Sequence, residues 1–371
     1  MADITAITMP KWGLTMTEGK VLGWLKHEGD SVSASDELLE IETSKITNVM
    51  EAGEAGVLRR VVALEGATLP IGGLLAVVAP ADTPEAEIDA FVAGFVVPEA
   101  AEDAGAEADP MAPRETEAGG KRLRYLELGK GDGPPIVFIH GFGADLNTWM
   151  FNQPALAEKH RTVALDLSGH GGSTKTMDFA LDAAGFGTDI DHVLTALGID
   201  RVHLVGHSMG GAIAIAFAVA RPARVASLTL IAPAGLGPEI NGSFIDGFVK
   251  MERRRDAQEV LRRLVHDPNL VSRAMVEDVL RYKRLDGVAA ALQALAQAWF
   301  PDGRQHQILG LAGLTIPVQI IWGREDQIIP VAHGEALAAK LPVHILDDAG
   351  HLPHMEKSAE VNRLIGRFVE G

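Results

Sequence analysis

A chain of 371 residues is longer than one typical core requires, so its length predicts two domains. No run approaches the roughly eighteen apolar residues of a membrane helix, and MADITAITMPKWG lacks the basic start and apolar block of a signal peptide; a cytoplasmic, non-membrane protein is expected. With no cysteine there is no disulfide, thiolate metal site or cysteine nucleophile, and the net charge of −17 argues against a nucleic-acid partner.

Residues 1–80 hold an internal repeat at a spacing of 37: Gly19 matches Gly56, Glu28-Gly29 matches Glu65-Gly66, Val32 matches Leu69 and Leu38 matches Leu75. VLGWLKHEGDSV and LLEIETSK alternate apolar and polar residues between glycine turns, which predicts short strands. Two similar antiparallel halves can bury their apolar faces against each other as a small flattened barrel. Between the halves, Glu42-Thr43-Ser44-Lys45-Ile46 predicts a tight turn with a lysine at its tip.

Much of the negative charge falls in residues 81–120, with 11 acidic side chains against 1 basic. This Ala/Pro/Glu-rich stretch has little to bury and reads as a linker, extended by its own charge. Within it, Ile88–Val97 (IDAFVAGFVV) is apolar enough to form a short helix or strand on a neighbouring domain, with a docking site for another protein as the alternative.

Residues 121–371 change character. PIVFIHG, RTVALDLSG, RVHLVGHS, ASLTLIAP, PVQIIWG and PVHILDDAG suit buried parallel strands, and helix-length segments separate them. They predict a parallel sheet covered on both faces by helices. From about 236 to 311 the rhythm gives way to helical, charge-laced sequence, expected to be a cap over the strand ends, where open α/β sheets bind ligands.

Gly206-His207-Ser208-Met209-Gly210 fits G-x-S-x-G between a strand and a helix, the context in which a sharp turn presents a serine nucleophile; a helix-capping serine is the plainer reading. A serine hydroxyl needs a base. His351 follows the last strand, with His354 as its competitor. Asp326 in GREDQIIP is the expected acid, with Glu325, Asp347 and Asp348 as alternatives. The Met209 and Phe142 amides are the expected oxyanion donors.

Residues 1–80, with MPKWGLTMTEG, EGDSV and ETSKI, resemble the lipoyl domains of 2-oxoacid dehydrogenase-type complexes, which implies lipoate on Lys45. HGFG, DLSGHGGS, GHSMGG, GREDQIIP and GHLPHMEKS are similar to α/β-hydrolase-fold proteins across 123–369. The implied architecture is a lipoyl barrel-sandwich domain followed by an α/β-hydrolase fold with a helical lid. Together the two halves resemble the acetyltransferase components of acetoin dehydrogenase complexes. That resemblance implies acetyl transfer from the lipoyl arm to coenzyme A and a homo-oligomer within a complex. The implied partners are a thiamine-diphosphate-dependent acetoin dehydrogenase and a dihydrolipoyl dehydrogenase. A serine esterase with an accessory carrier domain is the alternative, and a scaffold with a vestigial triad is a third reading.

Overall fold

The computed structural model describes residues 4–10, 18–33, 36–42, 47–95 and 111–371, in two compact units that divide after Ala106. In the N-terminal unit the strands are β1 (Thr5–Thr8), β2 (Glu18–Trp24), β3 (Ser31–Val32), β4 (Glu37–Glu42), β5 (Thr47–Glu51), β6 (Gly56–Val61), β7 (Thr68–Pro70) and β8 (Leu74–Ala79). They form two four-stranded sheets, ordered β1-β8-β6-β3 and β5-β4-β2-β7. A shift of 37 residues carries β4 onto β8, β2 onto β6 and β3 onto β7. Each sheet therefore draws strands from both copies, and the halves interleave rather than stack. Val21, Leu38, Ile41, Leu58 and Leu75 are buried between the sheets. Leu39 is buried beside Leu38 because the β4/β5 register shifts between Glu37 and Leu39, which breaks strict alternation. Glu42 pairs with Thr47 across these strands; Lys45, which falls between them in sequence, lies outside the described residues.

Helix α1 (Glu85–Gly94) follows within the range expected to be linker. Its Ile88, with Phe91, Val92 and Phe95 at helical spacing, covers the outward side chains of Leu74, Val77 and Ala79 on β8. The Arg60 guanidinium reaches Asp89 at 2.8 Å and Glu85 at 3.0 Å. Val96 and Val97 of the expected apolar segment lie outside the described residues.

The C-terminal unit begins with β9 (Arg114–Ala118), also inside the range expected to be linker. It pairs antiparallel with β10 (Lys121–Leu128) as the edge of an eight-stranded sheet. β11 (Ile136–Ile139), β12 (Thr162–Leu165), β13 (Val202–His207), β14 (Val225–Ile231), β15 (Val318–Gly323) and β16 (Val343–Leu346) complete the order β16-β15-β14-β13-β11-β12-β10-β9. The pairs from β12 to β16 are parallel. Apolar cores cover both sheet faces, as the uninterrupted apolar runs require. The helices are α2 (Gln153–Ala157), α3 (Ala183–Ala196), α4 (Met209–Ala220), α5 (Gly242–Lys250), α6 (Arg254–Leu261), α7 (Arg273–Lys283), α8 (Val288–Trp299), α9 (Ala332–Glu335), α10 (Pro353–Glu356) and α11 (Ser358–Glu370). Of these, α5 to α8 form the expected cap, inserted between β14 and β15. Among the described residues no helix is long and apolar enough to cross a membrane.

Candidate active site

Ser208 occupies the turn between β13 and α4 with φ of 53° and ψ of −120°, a conformation L-residues avoid and one that costs about 1–3 kcal/mol. The turn is held from both sides. The Ser208 amide donates to Ile231 at 3.0 Å, and its carbonyl accepts from Gly211 and Ala234, each at 2.9 Å. The flanking glycines are steric necessities: a Cβ on Gly206 would lie 2.4 Å from the Gly210 carbonyl oxygen, and one on Gly210 would lie 2.2 Å from that of Ile139.

His351 follows β16, and its Nδ1 is 2.8 Å from Oδ2 of Asp326, which follows β15. Oδ2 also accepts from Trp322 Nε1 at 2.9 Å, and Oδ1 from the Ile328 and Ile329 amides at 2.7 and 3.0 Å. These bonds fix the fully buried carboxylate and, through it, the ring. With Nδ1 engaged by Asp326, Nε2 is the nitrogen left for a substrate-side proton. The alternative acids are elsewhere: Glu325 accepts from the Ala349 amide, Asp347 pairs with Arg324, and Asp348 is exposed with its carboxylate 3.8 Å from His266.

Ser208, His351 and the loop after β11 share one cavity of about 640 Å³, a size suited to a drug-sized ligand. Phe142, Phe244, Phe248, Leu264 and Met275 give it apolar walls, and the exposed Met150, Phe151 and Leu270 line its rim. Among the described residues neither the Phe142 amide nor the Met209 amide, at the first position of α4, donates to a protein acceptor. The Phe142 loop is anchored from below. His140 Nδ1 faces the Gly141 carbonyl at 2.8 Å, and its Nε2 accepts from the Leu167 amide at 3.1 Å. Burial pulls the His140 pKa down against the opposing pull of Asp166, keeping the ring neutral as these bonds require. Asp145, on the cavity wall, has its pKa raised by burial and then by Asp166.

His354, the competitor base, does not face Asp326. Its Nε2 is 3.1 Å from Thr148 Oγ1, and its ring packs on Trp149 and His207 at centroid distances of 4.8 and 4.6 Å. Burial, then His351, depresses its pKa to about 3, so it is a neutral brace. Two contributors lie outside the motif reading. His207 Nε2 donates to the His351 carbonyl at 2.8 Å, tying the serine turn to the histidine loop; its pKa is also held well below the usual value, first by burial. Lys283 of α7 donates to the carbonyls of Phe248, Val249 and Met251 at 2.6, 3.0 and 2.7 Å, capping α5 within the lid. The His207 position is visible in G-x-S-x-G, but its partner is 144 residues away.

Comparison with known proteins fits this geometry. An α/β hydrolase fold family model matches residues 134–358, and a biotin-requiring enzyme model, which covers biotin and lipoyl attachment domains, matches 5–78. The dihydrolipoyllysine-residue acetyltransferase component of the acetoin cleaving system from Pseudomonas putida is 45% identical, covering 100% of this chain and 99% of its own. Its counterpart from Cupriavidus necator is 44% identical, over 99% and 98%. The chain belongs to this acetyltransferase family. Monoacylglycerol lipase abhd6-B of Xenopus laevis, 30% identical, matches 68% of this chain and 80% of its own. Among solved structures, a meta-cleavage product hydrolase from Pseudomonas fluorescens IP01 superposes with a TM-score of 0.63 at 24% identity, covering 70% of this chain and 98% of its own, a likeness of fold. The acetyltransferase relatives thus match nearly the whole chain, whereas the lipase and the hydrolase structure match 68% and 70% of it.

Proposed function

We propose that this member of the acetyltransferase family moves an acetyl group from a lipoyl arm on Lys45 to coenzyme A, with Ser208, His351 and Asp326 as the catalytic groups. The observation that carries the reading is the conjunction, in one chain, of a lipoyl-type unit with a cavity that holds a strained serine beside an Asp-oriented histidine. A lipoyl group supplies a thioester whose sulfur leaves as a thiol. The apolar walls of the cavity suit an aliphatic, thiol-ended arm.

Ser208 Oγ attacks the thioester carbonyl as His351 Nε2 takes its proton. The Phe142 and Met209 amides face the developing oxyanion, and Asp326 stabilises the imidazolium. His351 then returns the proton to the departing sulfur, leaving acetyl-Ser208. In the second half His351 accepts the proton of the coenzyme A thiol, whose sulfur attacks acetyl-Ser208, and the proton returns to Oγ as acetyl-coenzyme A leaves. Atoms and charge balance with no further reactant.

Within the acetoin-cleaving complex the partners are a thiamine-diphosphate-dependent acetoin dehydrogenase, which loads the arm, and a dihydrolipoyl dehydrogenase, which reoxidises it. The assembly contains several copies of this chain and works in the cytoplasm. The domains expected at 1–80 and 121–371 extend to take in α1 and β9, and the acidic linker between them is shorter by those elements. The test is acetyl transfer from S-acetyl-dihydrolipoamide to coenzyme A by Ser208→Ala; a wild-type rate would refute the nucleophile, and faster turnover of simple esters by the native chain would favour an esterase.

A further inference from the structure

The loop that carries His351 is fastened to the lid at several points, and the catalytic scheme above does not use them. The His351 amide donates to the Leu264 carbonyl, in the short helical turn after α6, at 2.8 Å. The half-buried Glu356, last residue of α10, accepts from the Gly350 amide with Oε1 and from the His266 amide with Oε2, both at 2.7 Å. One carboxylate thereby bridges the residue before the catalytic histidine and the lid segment two residues beyond Leu264. The two strands of chain are also in tight contact, since a Cβ on Gly350 would lie 2.8 to 2.9 Å from backbone atoms of Leu264, Val265 and His266. Leu264 itself lines the cavity, as do Leu352 and Met355 on the other side of the fastening.

We propose that Glu356 is a positioning residue that couples the Leu264–His266 edge of the lid to His351, so that the base is correctly placed only when that edge is seated. The inference rests on the reading of His351 as the base. Lid and histidine loop have no other reason to share a carboxylate: His266 and Gly350 are 84 residues apart, and neither amide lies where an element of regular structure would pair it. The His266 amide is on the exposed side of the carboxylate, but the Gly350 amide is partly buried, and without its acceptor the residue before His351 loses the bond that fixes its backbone. Consequently this edge is the fixed side of the lid.

The test uses the full-length lipoylated chain with Glu356→Gln and Glu356→Ala. Glutamine keeps the volume and one acceptor oxygen; alanine keeps neither. In acetyl transfer from S-acetyl-dihydrolipoamide to coenzyme A, kcat should fall about tenfold in the first and up to about a hundredfold in the second, while KM stays within about twofold. The downfield proton resonance of His351 Nδ1, shared with Asp326, should shift or broaden in the same order. A purely structural role would lower thermal stability but leave kcat per titratable site and the resonance as in wild type, and that result overturns the proposal. Should the alanine variant not fold, the near-isosteric glutamine variant decides. Wild-type activity in Ser208→Ala would remove the catalytic reading itself; an inactive Ser208→Ala with normal Glu356 variants would remove only the coupling.

Discussion

The two units commit their reactive residues in opposite ways. In the N-terminal unit every described strand serves the small core between two interleaved sheets, and the proposed chemistry falls on one lysine in the connection between β4 and β5. In the C-terminal unit the proposed reactive groups come from the ends of β11, β13, β15 and β16, and hydrogen bonds fix the Ser208 turn, Asp326 and His351. A carrier needs reach and a chemically competent tether, which few constraints secure. A catalytic site needs atoms placed to fractions of an ångström, so glycines, a strained φ and buried histidines accumulate around Ser208.

That contrast can be broken most sharply at Ser208. Ser208→Ala should reduce kcat for acetyl transfer by on the order of 10⁴- to 10⁶-fold, and intact mass should still show a lipoylated chain. Loss of lipoylation in the same variant would mean the units are not independent in this sense. Asp326→Asn comes next, with a fall of about 10⁴-fold near neutral pH, since an amide facing Nδ1 favours the wrong tautomer; pre-steady-state acetylation of the serine would follow it.

Stability sharpens the same comparison. An alanine at Gly210 would press on the backbone carbonyls of Ile139 and His140, which cannot give way, whereas one at Gly56 in the N-terminal unit would meet chiefly a Val78 methyl at 2.5 Å. Denaturant unfolding should show a loss of about 3 kcal/mol for Gly210→Ala in the C-terminal transition and about 1 kcal/mol for Gly56→Ala in the N-terminal one. Comparable losses would deny the Ser208 turn its special tightness.

The smallest effect concerns pH. His354 has a folded-state pKa of about 3 against an ordinary 6.5, so the unfolded chain binds its proton first as pH falls. The native state carries no such penalty above about 6.5, and stability is lost as pH drops from there toward 3, by at most about 1.4 kcal/mol per pH unit from this residue. His354→Gln should flatten the C-terminal unfolding midpoint over that window relative to wild type. An unchanged slope would show that His354 titrates normally.

Much of this architecture is legible in the sequence, for physical reasons. The 37-residue repeat survives because equivalent strands face equivalent packing, although pairing between copies is not encoded in similarity, and so the interleaving was hidden. G-x-S-x-G is readable because its glycines answer to local sterics, and the strand-end positions of Asp326 and His351 follow from the order of the parallel sheet. β9 went unread: RETEA is an edge strand with mostly polar side chains, indistinguishable by composition from the linker before it. His207, Lys283 and Glu356 were missed as contributors because their partners are backbone groups distant in sequence, which no spacing announces.

The proposed mechanism requires that acetyl pass through Ser208. The direct measurement is intact mass and peptide mapping of the lipoylated chain after acetylation of its Lys45 arm, without coenzyme A and then after its addition. An acetyl group on Ser208 that disappears as acetyl-coenzyme A forms, and that is absent in Ser208→Ala, is the expected result. Transfer from the arm to coenzyme A at the native rate with no acetyl ever found on Ser208, in a chain whose serine can be removed without cost, would contradict it.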